Sequence, residues 1–459
     1  MRGICGFYLD SYGQIIYFLM QIDSVDITAA SRPPGDRQCR GENKVMKREF
    51  RLDTLLIHGG LEPGPAGATT VPIVQSSSFA HDTAEDLEDI FRGRQVGHVY
   101  TRINNPTTES LERRLTLLEG GISAIATSSG MAAITLAVLT IVRSGDEILS
   151  SASLFGGTFS LFRDTLSNYG IATRFVDPSD LGAMRAAVTE RTRLIFVETM
   201  GNPRLDVPDL AALAEIAREA GVPLVVDATV TTPVLGRVKE LGADIVVHST
   251  SKYINGTGSA IGGAIIDCGT FDWKRASYPH FEPFVKKFRQ FAFTARARKL
   301  IHKDLGACPA PMNSYLFSEG IETMALRMER HCANAQRLAE FLAAHPTVAW
   351  VNYPGLASSP WHETAKAQFG GRYGALLTFG LADKGAAFRC IDGLRLAKNL
   401  ANIGDAKTLV IHPASTICAD FGPEEKALMG VSEEMIRVSV GIEAIDDIIE
   451  DFGEALAGC

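Results

Sequence analysis

Short apolar runs alternate with helical patterns of apolar residues through the first two thirds of the chain. The runs are rich in Val and Ile and are bounded by small polar residues, which is typical of buried strands. They begin at Ser123 and recur at 146–150, 172–176, 194–198, 223–227, 243–247 and 263–267. Helical spacing occupies 130–142, 160–167, 180–187 and 209–220. Since strands without a polar face are buried on both sides, the alternation predicts an α/β fold with a mostly parallel central sheet and helices on both faces.

The pattern changes after about residue 310. A long amphipathic helix is predicted for 319–345, and short strands are predicted for 348–353 and 375–379. Residues 435–443 alternate apolar and polar side chains, as an edge strand would. This region is therefore predicted to be a smaller C-terminal α+β domain.

These changes divide the chain into four parts. Residues 1–45 are predicted to be a disordered extension, because their apolar run is too short and too interrupted for a membrane span and lacks a signal-peptide pattern. Residues 46–106, with a Gly- and Pro-rich loop at 54–78, form an N-terminal extended segment. Residues 107–310 form the large domain, and residues 311–459 form the small one.

Composition limits the function classes. The chain has 459 residues, 46% of them hydrophobic and 21% charged, with a net charge of −8. An acidic protein is a poor match for nucleic acid, which requires a basic face. The eight cysteines form no CxxC pair, so neither a metal site nor a disulfide framework is indicated, and a reduced cytoplasmic compartment is expected.

Polar residues collect where the predicted strands end. Because ligands of parallel sheets bind at the carboxyl ends of the strands, these residues should converge on one site. They are Ser128, Ser129, Gly130, Glu198, Asp227 and the segment 249–252. This convergence is the strongest functional signal in the pattern.

Lys252 has an unusual position within that set. It leaves a buried strand between Ser249, Ser251 and a series of glycines. A partly desolvated lysine loses its proton more easily and forms Schiff bases, and hydroxyls can hold a phosphate. These features point to a lysine that holds pyridoxal phosphate (PLP) covalently; a solvated surface lysine is the alternative.

Other residues would suit the same cofactor. A helix that opens with Ser-Ser-Gly at 128–130 offers free N–H groups to an anion, although an ordinary βα turn has the same pattern. Asp227 could keep the pyridine nitrogen protonated, or it could cap a turn. Arg102, two residues after Tyr100, could clamp an anion, and Arg437 could bind a carboxylate; a surface location is the alternative for both.

Several segments resemble the Cys/Met-metabolism family of PLP-dependent enzymes, which has the aspartate-aminotransferase-like fold (PLP fold type I). The resemblance runs from about Arg51 to the C-terminus. The matching segments are YTRINNPT, SSGMAA, FGGTF, ETMGNP, VVDATVTTP, HSTSKYINGTG, HPAST and RVSVGIE. Within the family, NIGDAKTLVIHPAST and GIETMALRMERH are most similar to the sulfhydrylases that act on O-acetylhomoserine.

The resemblance implies roles for particular residues. Lys252, Phe155 and Asp227 would carry the chemistry. The phosphate would be held by Gly130, Met131, Ser249 and Ser251, and by Tyr100 and Arg102 of a neighbouring subunit. Asn202 would contact the ring hydroxyl, and Arg437 with Asn402 would bind the substrate carboxylate. The resemblance also implies a homodimer or homotetramer, with the segment 46–106 making oligomer and active-site contacts and 107–310 binding PLP.

The implied reaction is a γ-replacement in which sulfide or a thiol displaces the acetate of O-acetyl-L-homoserine. The chain departs from the usual sequence of the family at three positions that bear on this hypothesis. Phe155 stands where a tyrosine is common, Ala228 stands where an asparagine is common, and Cys418 stands where a histidine is common. A γ-lyase, a cystathionine γ-synthase or an O-succinylhomoserine sulfhydrylase is the alternative within the family, although Gly157 replaces the cysteine frequent in methionine lyases. A PLP-binding protein without turnover is the alternative from another class.

Overall fold

The alternating pattern of the first two thirds of the chain folds into a seven-stranded sheet in the computed structural model of the protein. The structure describes residues 50–459 apart from 63, 65, 66 and 93. The predicted extension at 1–45 lies outside the described residues. Across the sheet the strands follow the order β1-β7-β6-β5-β4-β2-β3. These strands are β1 (Ser123–Thr127), β2 (Glu147–Ser151), β3 (Ala172–Val176), β4 (Thr192–Glu198), β5 (Leu224–Asp227), β6 (Ile245–His248) and β7 (Gly263–Asp267).

The strands of this sheet are mostly parallel. The pairs β2–β3, β2–β4, β4–β5 and β5–β6 are parallel, and β7 runs antiparallel to both β1 and β6. One cluster of buried apolar side chains lies on each face of the sheet, because successive residues of a strand point to opposite faces. The predicted mostly parallel α/β architecture is confirmed.

The described residues form α-helices in both parts of the chain. They are α1 (Leu52–His58), α2 (Ala84–Arg92), α3 (Pro106–Glu119), α4 (Gly130–Ile141), α5 (Gly156–Ser160), α6 (Leu181–Ala186), α7 (Leu210–Ala220), α8 (Thr232–Leu235), α9 (Glu282–Phe288), α10 (Ala292–Arg296), α11 (Lys303–Leu305), α12 (Pro311–Glu322), α13 (Met324–Ala344), α14 (His362–Phe369), α15 (Lys384–Gly393), α16 (Pro423–Leu428) and α17 (Ile445–Ala457). Shorter π and 3₁₀ turns occupy Leu161–Thr165, Leu166–Tyr169, Val238–Leu241, Pro279–Phe281, Arg289–Phe291, Ala297–His302 and Pro413–Ser415.

Side-chain caps explain where several helices begin. Asn105 accepts the N–H of Thr107 and is followed by Pro106, whose missing N–H costs nothing at the first helical position. Ser129 accepts the N–H of Ala132 and starts α4 directly after β1. A helix therefore opens at the carboxyl end of a strand, which brings its positive end to the edge of the sheet.

The C-terminal region forms a second, five-stranded sheet in the order β10-β11-β12-β9-β8. Its strands are β8 (Trp350–Asn352), β9 (Leu376–Gly380), β10 (Lys398–Asn399), β11 (Leu409–Ile411) and β12 (Met435–Ser439). The prediction of an edge strand at 435–443 was wrong, because β12 is paired on both sides and every residue of it is buried. Its alternation has another cause: Arg437 and Ser439 bind groups inside the protein instead of water.

The helix predicted for 319–345 is interrupted at Thr323, between α12 and α13. The buried side chain of Arg327 explains the interruption. Its guanidinium donates to the freed carbonyl of Gly320 (2.6 Å) and to the carbonyl of Tyr253 (2.7 Å), one residue after Lys252. Arg327 therefore ties the loop of Lys252 to the start of α13.

The N-terminal segment also differs from expectation. Residues 52–58 form α1 and bury Leu56 completely, whereas this region was predicted to be loop from residue 54. The sequence pattern is too short to show a helix that is stabilised by packing against α3. Within the described residues, no helix is both long and apolar enough to cross a membrane.

We expect Arg327→Leu to lower the free energy of unfolding by about 3 kcal/mol, because the buried carbonyls of Tyr253 and Gly320 would lose their donor. Urea denaturation at a fixed protein concentration measures this change. Arg337→Leu is the matched control, since Arg337 lies on the same helix in an exposed ion pair with Asp446 and should matter by less than about 0.5 kcal/mol. Equal effects of the two substitutions would contradict the role of Arg327.

Candidate active site

A cavity of about 470 Å³ opens at the carboxyl ends of β4, β5 and β6. Ligand sites of parallel sheets are expected at this edge. Its lining residues are Ser129, Gly130, Met131, Ile134, Phe155, Thr158, Glu198, Asp227, Thr229, Val230, Ser249, Ser251, Lys252, Gly258, Ala260, Ile261, Ala401 and Asn402. The structure therefore brings together residues that are more than 270 positions apart in the chain.

Lys252 projects its amine into this cavity. The Nζ atom donates to Oδ1 of Asn402 at 2.6 Å. Burial, with a smaller contribution from the positive charge of Arg437, lowers the pKa of Lys252 to about 8. Near neutral pH this amine is therefore far more often uncharged than an exposed lysine would be.

Two carboxyl groups lie side by side at the ends of β4 and β5, where Glu198 is paired in register with Asp227. Burial raises the pKa of Asp227, and the Thr229 N–H that donates to its Oδ1 at 2.9 Å opposes this effect. Burial, and then the negative charge of Asp227, raise the pKa of Glu198 well above its usual range. The sequence pattern predicts Glu198 at this edge of the sheet, but it indicates no role for this residue.

The start of α4 forms one wall of the cavity. Gly130 is the first residue of this helix, and a Cβ atom there would lie 2.6 Å from Cβ of Ser249. A glycine is therefore required for the helix to approach Ser249 so closely. The hydroxyl of Ser251 is held at the same wall by the N–H of Gly262 (2.9 Å). Free N–H groups, a helix dipole and hydroxyls together suit a phosphate group.

Arg437 lies behind Lys252, in the middle of the second sheet. It is 3% exposed, and its guanidinium donates to Oδ1 of Asn202 (2.9 Å) and to the main-chain carbonyl of Asn402 (3.2 Å). It pairs with no carboxylate among the residues that the structure describes, and burial lowers its pKa to about 10. Asn402 therefore connects Lys252, through its side chain, with Arg437, through its main chain.

Phe155 provides the aromatic wall. Its ring lines the cavity and is 39% exposed. A Cβ atom at Gly157 would lie 2.6 Å from the ring and 3.4 Å from Sδ of Met131. Because Gly157 has no side chain, the ring of Phe155 can occupy this space.

Tyr100 and Arg102 do not line this cavity within the single chain. Tyr100 pairs with Ser78 in an isolated bridge, and the chain then turns, so the extended segment predicted here ends at Tyr100. Both side chains are exposed, and the Arg102 guanidinium lies 5.3 Å from the centre of the Tyr100 ring. Arg102 also donates to the carbonyl of Lys303 at 2.5 Å.

Sequence reasoning missed several residues that line the cavity. Thr229 connects two of the predicted residues, since its N–H donates to Asp227 and its hydroxyl accepts the N–H of Ser249 (2.8 Å). Thr158 has a buried hydroxyl without a hydrogen-bond partner. Thr229 lies two residues after an aspartate at the end of a strand, and this position was the sequence signal that could have identified it as a site residue.

Most of the chain matches a known family. The family model described as Cys/Met metabolism PLP-dependent enzyme covers residues 53–457. The chain therefore belongs to the Cys/Met-metabolism family of PLP-dependent enzymes, as its sequence motifs indicated.

Individual relatives show which members of the family this chain is similar to. An O-acetyl-L-homoserine sulfhydrylase of Leptospira meyeri is 44% identical over an alignment of 433 positions that covers 90% of this chain and 98% of that protein. A homocysteine synthase of Schizosaccharomyces pombe is 43% identical, with 88% of this chain and 98% of that protein covered. These proteins are similar to this chain over almost all of its described length.

Solved structures show the same fold. An O-acetylhomoserine (thiol)-lyase of Campylobacter jejuni superimposes with a TM-score of 0.85 at 34% identity, covering 89% of this chain and all of that one. Its crystals contain pyridoxyl-lysine phosphate. The metB protein of Corynebacterium glutamicum has a TM-score of 0.77 at 32% identity, covering 89% and 98% of the two chains. The predicted aspartate-aminotransferase-like fold is confirmed.

The residues of this cavity fit PLP. The phosphate suits the wall of Gly130 and Ser249, the aldehyde requires an amine such as that of Lys252, and the ring nitrogen requires a carboxyl such as that of Asp227. In the described part of the chain, no group of His, Cys, Asp and Glu side chains could hold a metal ion.

We expect Gly130→Ala to weaken PLP binding by about tenfold or more, because the added methyl group would push the start of α4 away from Ser249. Titration of the apoprotein with PLP, followed by visible absorbance, measures the affinity. Gly453→Ala is the control: its Cβ would have ordinary contacts, with the nearest atom 3.6 Å away on Phe341. An unchanged affinity in Gly130→Ala would show that the phosphate binds elsewhere.

Proposed function

We propose that this protein catalyses the PLP-dependent γ-replacement of O-acetyl-L-homoserine with sulfide or a thiol, which gives homocysteine or methionine and acetate. The observation that carries the proposal is the similarity, at 43–44% identity over nearly the whole chain, to relatives named for this chemistry. Lys252 and Asn402 line one cavity, and the buried Arg437 lies behind them with its guanidinium on the Asn402 carbonyl, which supports the proposal.

Arg437 is the group that binds the α-carboxylate of the amino-acid substrate. Its charge is buried and has no carboxylate partner among the described residues, so an incoming carboxylate would complete the pair. Asn202 and the carbonyl of Asn402 fix the orientation of the guanidinium. Binding of the carboxylate at this point directs the rest of the substrate toward Lys252.

PLP, when bound, supplies an electron sink for the charge that develops at the α-carbon of the substrate. Lys252 is the residue that would hold the cofactor, and its amine would accept and return protons. An amine with a pKa of about 8 is well matched to accept and return a proton near neutral pH. The oxygen of Asn402, 2.6 Å from Nζ, holds the amine in position.

The remaining residues orient and enclose the cofactor. Asp227 would interact with the ring nitrogen, Asn202 with the ring hydroxyl, and Phe155 with one face of the ring. Gly130, Met131, Ser249 and Ser251 would hold the phosphate.

We expect the purified protein to form homocysteine from O-acetyl-L-homoserine and sulfide, and Lys252→Ala to lower the rate by about a thousandfold or more. Thiol assay and mass spectrometry of the products measure the reaction. O-succinyl-L-homoserine, cysteine and methionine are assayed in parallel. Release of a keto acid from methionine without homocysteine synthesis would identify a lyase, and cystathionine formation would identify a synthase.

We propose that the active unit contains two or more copies of this chain. Tyr100 is 44% exposed, and the same N-terminal segment exposes Phe91 (60%) and Val96 (47%). Several exposed apolar side chains within one segment of the chain favour a contact with another protein surface. In this arrangement Tyr100 and Arg102 reach the phosphate in a neighbouring subunit. The division into 107–310 and 311–459, the tetrameric state and the cytoplasmic location stay predictions.

Subunit sharing can be tested by mixing two inactive variants. Lys252→Ala lacks the amine, and Arg102→Ala lacks the residue supplied in trans. Random re-association should restore about a quarter of the wild-type activity, because half of the dimers are mixed and each has one intact site. Activity after mixing and gel filtration measures the effect. If the mixture remains inactive while the subunits exchange, Arg102 acts on its own chain.

A further inference from the structure

The segment that carries Phe155 is held from below by two buried carboxyl groups. It follows β2, which ends at Ser151, and it contacts the end of β4 and the loop after it. Glu198 lies at the end of β4, and Asp206 lies within that loop. Each of them binds one end of the segment 153–155.

Glu198 binds the main chain of Phe155 itself. Its Oε1 atom accepts the Phe155 N–H at 2.7 Å, and the residue is only 7% exposed. Because Phe155 immediately precedes α5, its backbone position sets the direction in which the ring leaves the chain. Glu198 therefore contacts the aromatic wall through the backbone, and it also lines the cavity.

Asp206 binds the other end of the segment. Its Oδ1 accepts the hydroxyl of Ser153, and the residue is 2% exposed. Gly201 allows this contact, because a Cβ atom at position 201 would overlap with both the Ser153 hydroxyl and the Asp206 carboxyl. The loop that holds Asn202 and the segment that holds Phe155 are thereby joined.

We propose that Glu198 and Asp206 are positioning residues that hold the segment 153–155 so that the Phe155 ring lies over the bound cofactor. This inference rests on the proposed function, since it assigns the ring to the cofactor site. It assigns to these two residues the position of the aromatic wall. In this chain Phe155 has no phenolic hydroxyl, so the position of its ring depends on the backbone and on packing alone.

The surroundings of Glu198 favour its neutral form. Asp227 lies beside it in register on β5, and both Asp227 and Asp206 add negative charge around it. Burial and these charges raise the pKa of Glu198 well above its usual range. A neutral Glu198 still offers a carbonyl oxygen to the Phe155 N–H, and it leaves the adjacent carboxyl of Asp227 available to a ring nitrogen.

The test compares substitutions that keep or remove the acceptor oxygen. Glu198→Gln keeps a neutral acceptor, whereas Glu198→Ala removes it; Glu198→Leu replaces Glu198→Ala if that variant does not fold. The affinity of the apoprotein for PLP and the induced circular dichroism of the bound cofactor are measured for each. Both readouts are independent of turnover, and the dichroism reports on the groups around the ring.

We expect Glu198→Gln to bind PLP within about twofold of wild type, and Glu198→Ala to bind it about tenfold more weakly with altered dichroism, as loss of one buried hydrogen bond would produce. In a Phe155→Leu background, Glu198→Ala should have less than about a twofold further effect, because both changes act through the same ring. Equal impairment of Glu198→Gln and Glu198→Ala would overturn the neutral role. Independent effects in the double variant would overturn the positioning role.

Ser153→Ala tests the contact with Asp206. Ser150→Ala is its control three residues earlier, near the end of β2, since the hydroxyl of Ser150 is buried but donates to main-chain carbonyls. We expect only Ser153→Ala to change the dichroism. Equal spectra of the two variants would remove Asp206 from the proposal. A wild-type protein that binds no PLP would instead contradict the proposed function itself, before any variant is compared.

Discussion

The hydrogen bond between Lys252 and Asn402 joins the two sheets of this protein at the cavity. Lys252 follows β6 of the large sheet, and Asn402 follows β10 of the small one, 2.6 Å away. The bond holds an amine that burial has already made easier to deprotonate. Both parts of the chain therefore contribute to the environment of this lysine. The large sheet carries Lys252, and the C-terminal region supplies the oxygen that accepts its hydrogen bond.

Charge is distributed around this bond in an ordered way. The cations Lys252 and Arg437 lie toward the small sheet, and the carboxyls of Asp227 and Glu198 lie at the strand ends of the large one. A zwitterionic ligand with a carboxylate, or a cofactor with a protonated ring nitrogen, would find an opposite charge on each side. Burial makes these interactions stronger than they would be in water, and it also makes an unpaired charge costly. The cavity is thus arranged for charged ligands even though much of its lining is apolar.

Backbone contacts maintain this arrangement. Arg327 binds carbonyls of the loop after Lys252, Thr229 links Asp227 to the N–H of Ser249, and Glu198 holds the N–H of Phe155. In each case a side chain that the proposed chemistry does not use fixes the main chain next to one that it does use. Such contacts are expected where small displacements of reacting groups would lower the rate.

The sequence by itself determined the strands, the edge of the sheet where polar residues gather, and Lys252, because these follow from the period of apolar residues and from chemistry that is local in the chain. The five-residue pattern of β12 could not show that its polar face is buried, since alternation records polarity and not the presence of water. Likewise, the interruption at Thr323 depends on Arg327 reaching a loop more than 60 residues away. Only the tertiary structure decided that Asn402 lies against Lys252 and that Glu198 binds the main chain of Phe155. Each contact joins residues that are far apart in the chain, and a local sequence pattern does not encode the distance between them.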